Sequence, residues 1–229
     1  GLELWSHRQP QGAGGSAYAV AVRVDANDRP TVAGRASLGS EPDLLMVALD
    51  NAGNPRWVAS EMEESLSERP ASGNLAPVGK SVAIGQNQNV FIVGDSNNSS
   101  REVFLSVALD SSGHELWRRV KSVAGSSREG AVVAASTDTG GLVATGFAVA
   151  ATNYDFLTVA YDDMGNELWS NLKNGSGNSS DISRAGAISG AGDVVVAGAS
   201  ASGSNSDYLT VAYDSTGVEL WTRTKSGSA

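Results

Sequence analysis

Carboxylates at a common phase are the first residues of this sequence that could do chemistry. Asp43, Asp155 and Asp207 each open an apolar, strand-like run, and Glu102 stands one place offset in the matching run. Acids ringed around one centre would suit a glycosidase or lyase, or a cation. Acid–base work, however, needs carboxylates whose surroundings push their pKa values apart, and repetition gives all of them the same surroundings. Turn capping is therefore the expectation for them. Five other polar residues break apolar register: Lys80, Arg128, Glu129, Asp181 and Arg184. Lys80 and Arg184 share a phase that Val20 and Val132 occupy elsewhere, so two cations could face each other across a channel. Pairing with carboxylates such as Glu129 and Asp181, or reaching solvent, is the plainer expectation. Tyr154 and Tyr208 add aromatic surface suited to a ligand, and these seven residues form the candidate ligand-binding set.

Other chemistries lack material. There is no cysteine, which removes thiol catalysis, thiolate metal sites and disulfide frameworks. The two histidines, His7 and His114, fall outside the candidate binding face, leaving little for a catalytic triad or a histidine-ligated metal. No run of closely spaced oxygen ligands matches a calcium loop. Neither metal nor cofactor is expected. A net charge of −9 argues against nucleic acid, whose binding is driven by Lys and Arg, and against anionic membrane surfaces. No apolar run reaches the roughly 20 residues of a membrane-spanning helix. The chain starts at Gly1 without Met or a signal pattern and reads as a processed or excised piece.

What must position any site is a repeat. All five tryptophans, Trp5, Trp57, Trp117, Trp169 and Trp221, recur at spacings of 52, 60, 52 and 52. Asp50, Asp110, Asp162 and Asp214 stand seven residues before a Trp, and Gly53, Gly113, Gly165 and Gly217 four before. A second glycine series, Gly34, Gly94, Gly146 and Gly198, keeps the same register. The core of each copy reads DLLMVALDNAGNPRW, VFLSVALDSSGHELW, DFLTVAYDDMGNELW and DYLTVAYDSTGVELW. An apolar, β-branched run is a strand. The D-x-x-G that follows predicts a tight hairpin in which Asp bonds the backbone two residues on and Gly takes the left-handed position. The Trp strand comes next, and two more apolar runs lie upstream in each copy.

Four meandering strands per period predict an all-β β-propeller, or a slice of one. The copies are expected to be blades at 10–61, 62–121, 122–173 and 174–229, with 1–9 an extra outer strand. In blade 1 the strands are expected near 17–25, 31–37, 43–50 and 56–61. A capping box at Ser60 and Glu63 predicts a local helix over 60–68, coinciding with the eight-residue insertion of copy two. The tryptophans are expected to seal seams between blades, with the Asp and Gly series as structural turn residues.

The pattern YD-x-x-G-x-ELW, preceded by VVVAG and a Ser/Gly/Asn loop, resembles the SBBP-type bacterial β-propeller repeat. It is also similar to the delta-60 repeat and, more distantly, to the tryptophan-docked repeats of quinoprotein propellers. The resemblance spans essentially the whole chain. It implies the fold and a secreted, periplasmic or cell-surface bacterial setting; it implies no single activity. Copy one departs with PRW in place of ELW, and copy two by its insertion.

Because 1–9 repeats the phase of 217–225, both ends compete for one structural role. The chain belongs to a longer array, closes on four blades with a redundant or swapped strand, or pairs with a second chain in an eight-bladed ring. The expected function is a non-catalytic binding or assembly module engaging polysaccharide, peptide or other copies of itself through a loop-rich face. The competing expectation is a carboxylate-based propeller glycosidase or lyase using Asp43, Asp155, Asp207 or Glu129.

Overall fold

The computed structural model describes residues 3–8, 16–37, 42–60, 78–85, 87–97, 102–150, 153–175, 179–202 and 205–226. They form sixteen strands in four antiparallel sheets, each a meander in chain order, and no helix occurs among the described residues. Blade 1 comprises β1 (Ser16–Val24), β2 (Pro30–Ser37), β3 (Pro42–Leu49) and β4 (Pro55–Ser60). Blade 2 comprises β5 (Val78–Ile84), β6 (Val90–Asn97), β7 (Glu102–Leu109) and β8 (Glu115–Lys121). Blade 3 comprises β9 (Ser126–Ser136), β10 (Leu142–Ala150), β11 (Asn153–Tyr161) and β12 (Glu167–Lys173). Blade 4 comprises β13 (Asp181–Ile188), β14 (Val194–Ser202), β15 (Asn205–Tyr213) and β16 (Glu219–Lys225). The helix expected over 60–68 falls on residues outside those described, apart from Ser60, which ends β4.

Each third-to-fourth hairpin is built by its D-x-x-G. In blade 3, Asp162 Oδ1 accepts from the backbone N–H of Met164 and Asn166, and Gly165 N donates to Asp162 O. Gly165 stands at φ +77°, and its counterparts Gly53, Gly113 and Gly217 at +83°, +89° and +87°, where a Cβ is penalised. The ladder slips by one residue just before each turn, at Ala48/Leu49, Ala108/Leu109, Ala160/Tyr161 and Ala212/Tyr213. One glycine and one bulge thus complete the turn the sequence predicts.

A second bulge recurs in every inner strand. The β1–β2 register steps from Ala19 to Ala21, β5–β6 from Gly79 to Ser81, and β13–β14 from Ser183 to Ala185. The skipped residues are Val20, Lys80 and Arg184, and Val132 is skipped likewise in blade 3. The second glycine series lies opposite. A Cβ on Gly146 would press into Gly130 O, and one on Gly198 into Ile182 O. Extra backbone therefore crowds the neighbouring strand, and only glycine leaves room.

Successive blades pack through the inner strand of the later one. Strand β5 lies against β1, β2 and β3, β9 against β5, β6 and β7, and β13 against β9, β10 and β11. Phe91, Val93 and Phe104 of blade 2 share a core with Ala131, Ala134 and Leu142 of blade 3. Phe156 of blade 3 packs with Val194, Val196 and Leu209 of blade 4. The inner strands also meet through short polar side chains: Ser183 Oγ donates to Gly146 O at 2.7 Å, and Ala134 N donates to Ser81 Oγ at 3.2 Å.

The N-terminal segment departs from expectation. Residues 3–8 form no strand; the outer strands of the four sheets are β4, β8, β12 and β16. The Trp5 side chain is nevertheless seated as its repeats are.

Candidate functional site

Every seam is closed by one Trp entering the next blade's turn. A Cβ added to Gly53, Gly113, Gly165 or Gly217 would lie 2.5–2.8 Å from Trp5, Trp57, Trp117 or Trp169 respectively. The glycines are thus the floor of four indole sockets. Each indole Nε1 also donates to a carbonyl of the same turn: Trp5 to Asn51, Trp57 to Ser111, Trp117 to Asp163 and Trp169 to Ser215, at 3.0–3.1 Å. Two residues after the Trp, Arg119 Nε donates to Gly165 O and Asn171 Nδ2 to Gly217 O. Lys121 and Lys173 then reach Glu167 and Glu219 of the following blade. The turn acid serves its own loop: carboxyls at Asp50, Asp110, Asp162 and Asp214 are held low chiefly by hydrogen bonds within the turn.

The candidate ligand residues divide. Lys80, Arg128 and Tyr154 are gathered at the seam of blades 2 and 3, around the ring of Phe147. Arg128 Nε donates to Glu102 Oε2 at 2.5 Å, and its Nη1 to the Tyr154 hydroxyl at 3.2 Å. Phe147 and Tyr154 meet edge to face at 5.1 Å. The Arg128 guanidinium lies 5.6 Å from the Phe147 ring centre and Lys80 Nζ 5.9 Å from it. Lys80 pairs with Asp95 of its own blade. Burial pushes the Asp95 carboxyl above its ordinary value, against the opposing pull of Lys80. Burial lowers Arg128, but the Glu102 hydrogen bond and the charges of Glu102, Tyr154 and Asp95 together outweigh it and raise the guanidinium above its ordinary value. Sequence reasoning did not single out Phe147 or Asp95. The signal for Asp95 was a carboxylate directly after the invariant-phase Gly94, where the other copies have Arg35, Phe147 and Ala199.

Glu129 and Asp181 do a different job. They share a phase, and each reaches back six residues: Val123 N donates to Glu129 Oε1 and Gly175 N to Asp181 Oδ2. They fasten the loop that enters their blade. They do not pair with Lys80 and Arg184, which the sequence suggested. Asp155 is also buried, raised above its ordinary value by burial and then by the Asp181 charge. Arg184 and Tyr208 stand exposed on β13 and β15, away from the Arg128 cluster. The side chain of Asp43, and much of the loop-rich face, including 9–15 and 61–77, lie outside the described residues. Among the described residues no group of three His, Asp or Glu is placed to hold a metal ion. No helix there is long and apolar enough to cross a membrane.

No family model matches the chain, and no curated protein matches it. Among solved structures it is similar to an endo-arabinase from Bacteroides thetaiotaomicron VPI-5482, at 9% identity and TM-score 0.47, over 90% of this chain and 80% of that one. It is similar also to a eukaryotic initiation factor, at 8% identity and TM-score 0.43, over 90% of this chain. The chain spans 55% of that protein's length. At such values no activity transfers. The assignment as four propeller blades rests on the meanders and their seams.

Proposed function

We propose that the chain is a non-catalytic binding and assembly module of an exported or surface-associated bacterial protein of the SBBP-repeat kind. It presents its loop-rich face to polysaccharide or peptide. The observation that carries this reading is the use made of the polar residues. Lys80 and Arg128 are spent on ion pairs and ring contacts, while Glu129 and Asp181 fasten loops. Such pairs hold a rigid rim on which loops can vary. The part-exposed Arg128 and Tyr154, set around the buried Phe147 ring, offer a guanidinium beside a phenol, a surface suited to sugar faces and acidic groups. Glycan and peptide arrays test it: binding is expected, and Arg128→Ala should weaken it about tenfold. Silence on both arrays sinks the reading.

One observation favours a glycosidase or lyase instead. Asp155 is a carboxyl raised by burial and by the neighbouring Asp181, as a general acid would be. Turnover across a polysaccharide panel that vanishes in Asp155→Asn would establish it; a panel with no turnover removes it.

A further inference from the structure

The seam between blades 2 and 3 carries charge that the next seam does without. One period later, Lys80, Asp95, Glu102, Arg128 and Gly130 become Val132, Phe147, Tyr154, Ser180 and Ile182. The seam of blades 3 and 4 nevertheless packs a core of its own and seats its Trp on a socket glycine. The fold therefore does not require the charged set. Nor does it require Gly130, whose phase holds Tyr18, Val78 and Ile182 in the other copies. A glycine inside a strand marks a close approach, and a Cβ there would lie 2.5 Å from Asp95 Oδ1 and 2.7 Å from the Phe147 ring. Blade 3 gives up a side chain so that this carboxylate and this ring can come together. The residues involved stand at one end of the two blades. Glu102, Arg128 and Tyr154 lie near the starts of β7, β9 and β11, and Asp95 and Phe147 near the ends of β6 and β10.

Two cations and two carboxylates cancel here, so the group has no net field to draw in a polyanion. What it has to spare is donors. Arg128 gives Nε to Glu102 and Nη1 to Tyr154, while no described residue accepts from its Nη2. Lys80 Nζ pairs with Asp95, leaving the ammonium's other hydrogens. Both cations lie beside one ring, 5.6 and 5.9 Å from the centre of Phe147. Arg128, Glu102 and Lys80 side chains are 43%, 36% and 32% exposed, so a ligand can reach them. We propose that this group binds a uronate residue of a polysaccharide. The sugar carboxylate accepts from Arg128 Nη2 and Lys80 Nζ, a neighbouring ring hydroxyl donates to Glu102, and the C–H face of the sugar rests on Tyr154. One carboxylate flanked by hydroxyls matches donors set beside an acceptor. A densely charged peptide or sulfated chain does not, because Glu102 and Asp95 repel every charge after the first. The inference rests on the reading of the loop-rich face as a glycan-binding surface, and it names the sugar.

Isothermal titration calorimetry of the purified chain tests it. Galacturonate, glucuronate and mannuronate trisaccharides are offered as free acids and as methyl esters, with a poly-glutamate peptide alongside. At least one free acid should bind, and its ester about tenfold more weakly. Arg128→Ser installs the residue that the next seam carries at this phase. It should keep the circular dichroism of the parent, weaken the acid about tenfold and bring acid and ester to a common affinity. Arg128→Lys keeps the charge but loses the planar fork, so it should narrow the same ratio by a smaller factor. That ratio is a readout that a merely structural role for Arg128 would leave alone. Acid and ester bound alike by the parent, or a ratio unchanged in both variants, overturns the inference and leaves the glycan reading standing. Binding confined to neutral glycans does the same. Poly-glutamate bound as tightly as the uronates would put an acidic peptide in place of the sugar, which also overturns it. A chain that answers no uronate, no other glycan and no peptide sinks both readings together.

Discussion

Val22 and Val82 occupy one position of one repeat, as do Tyr208, Phe156 and Phe104. In the middle of the molecule these residues are core; at its ends they are surface. Nothing in the local sequence separates the two outcomes. The same apolar residue on the same strand is buried or bare according to whether a neighbour covers it, so the unit of stability here is the seam rather than the blade. This is the behaviour of a one-dimensional array, in which each repeat leans only on the next.

The sharpest way to break that comparison is to truncate equivalent tryptophans. Trp117→Ala empties a buried socket between blades and should cost about 3–5 kcal/mol. Trp221→Ala, at an end face, should cost about 1 kcal/mol or less in the dilute monomer. Urea denaturation reads both. Equal losses would mean that the blades are stable one by one.

Backbone crowding gives the next contrast. Gly146→Ala drives a methyl group into Gly130 O opposite the inner-strand bulge, and a loss of about 1–3 kcal/mol is expected. Gly190→Ala meets nothing within 4 Å and should change stability by less than about 0.5 kcal/mol.

A smaller effect depends on pH. The Asp155 carboxyl is raised above its ordinary 3.8 by burial and by Asp181. Its favourable contribution is therefore complete below that ordinary value and is lost as pH rises through the raised one. Asp155→Asn should make the protein more stable than the parent near neutral pH, with the gap closing as the solution is acidified. The turn acid Asp162 has the opposite sign. Its carboxyl is held low chiefly by Asn166, so its contribution is present above the ordinary carboxylate range and fades as pH falls through the lowered value. Thermal melts of Asp162→Ala and the parent should therefore converge in acid. A gap of constant size in either comparison would show that the carboxyl charge is not what matters.

The smallest effect expected is that of the exposed straps. Lys121→Ala removes the bond to Glu167 across the seam and should cost under about 1 kcal/mol, less still in high salt. A larger loss would shift weight from the indole sockets to the ion pairs.

The fold was legible because four markers kept one register and each carried a mechanical reason. An Asp that bonds its turn, a Gly that tolerates positive φ and a Trp at fixed distance define the hairpin before any contact is known. The candidate site was legible only in part. Lys80, Arg128 and Tyr154 were singled out as interruptions of apolar runs, and they do meet. They are 26 to 74 residues apart in sequence, however, and their meeting point is Phe147, which looks in the sequence like any core aromatic. The pairing of Lys80 with Asp95 across β5 and β6 was hidden for a related reason. It depends on the bulge at Lys80, and a bulge leaves no trace except the glycine across from it. Gly34, Gly94, Gly146 and Gly198 were that trace, visible as a series but not as a cause. The bare end faces could not be read at all, since exposure belongs to neighbours.

The socket geometry has a consequence for how such proteins change. Each Trp fits the turn that comes one full period later, so the two matching parts never lie in the same period, yet every period carries one of each. Unequal crossing-over between gene copies that adds or drops a whole period leaves each remaining Trp facing an intact Gly. An insertion of any other length, unless it falls between two blades as the one between β4 and β5 does, moves the indole off its floor. Length can therefore drift in steps of one blade with no new interface to invent, while the contacts that hold neighbours together stay fixed.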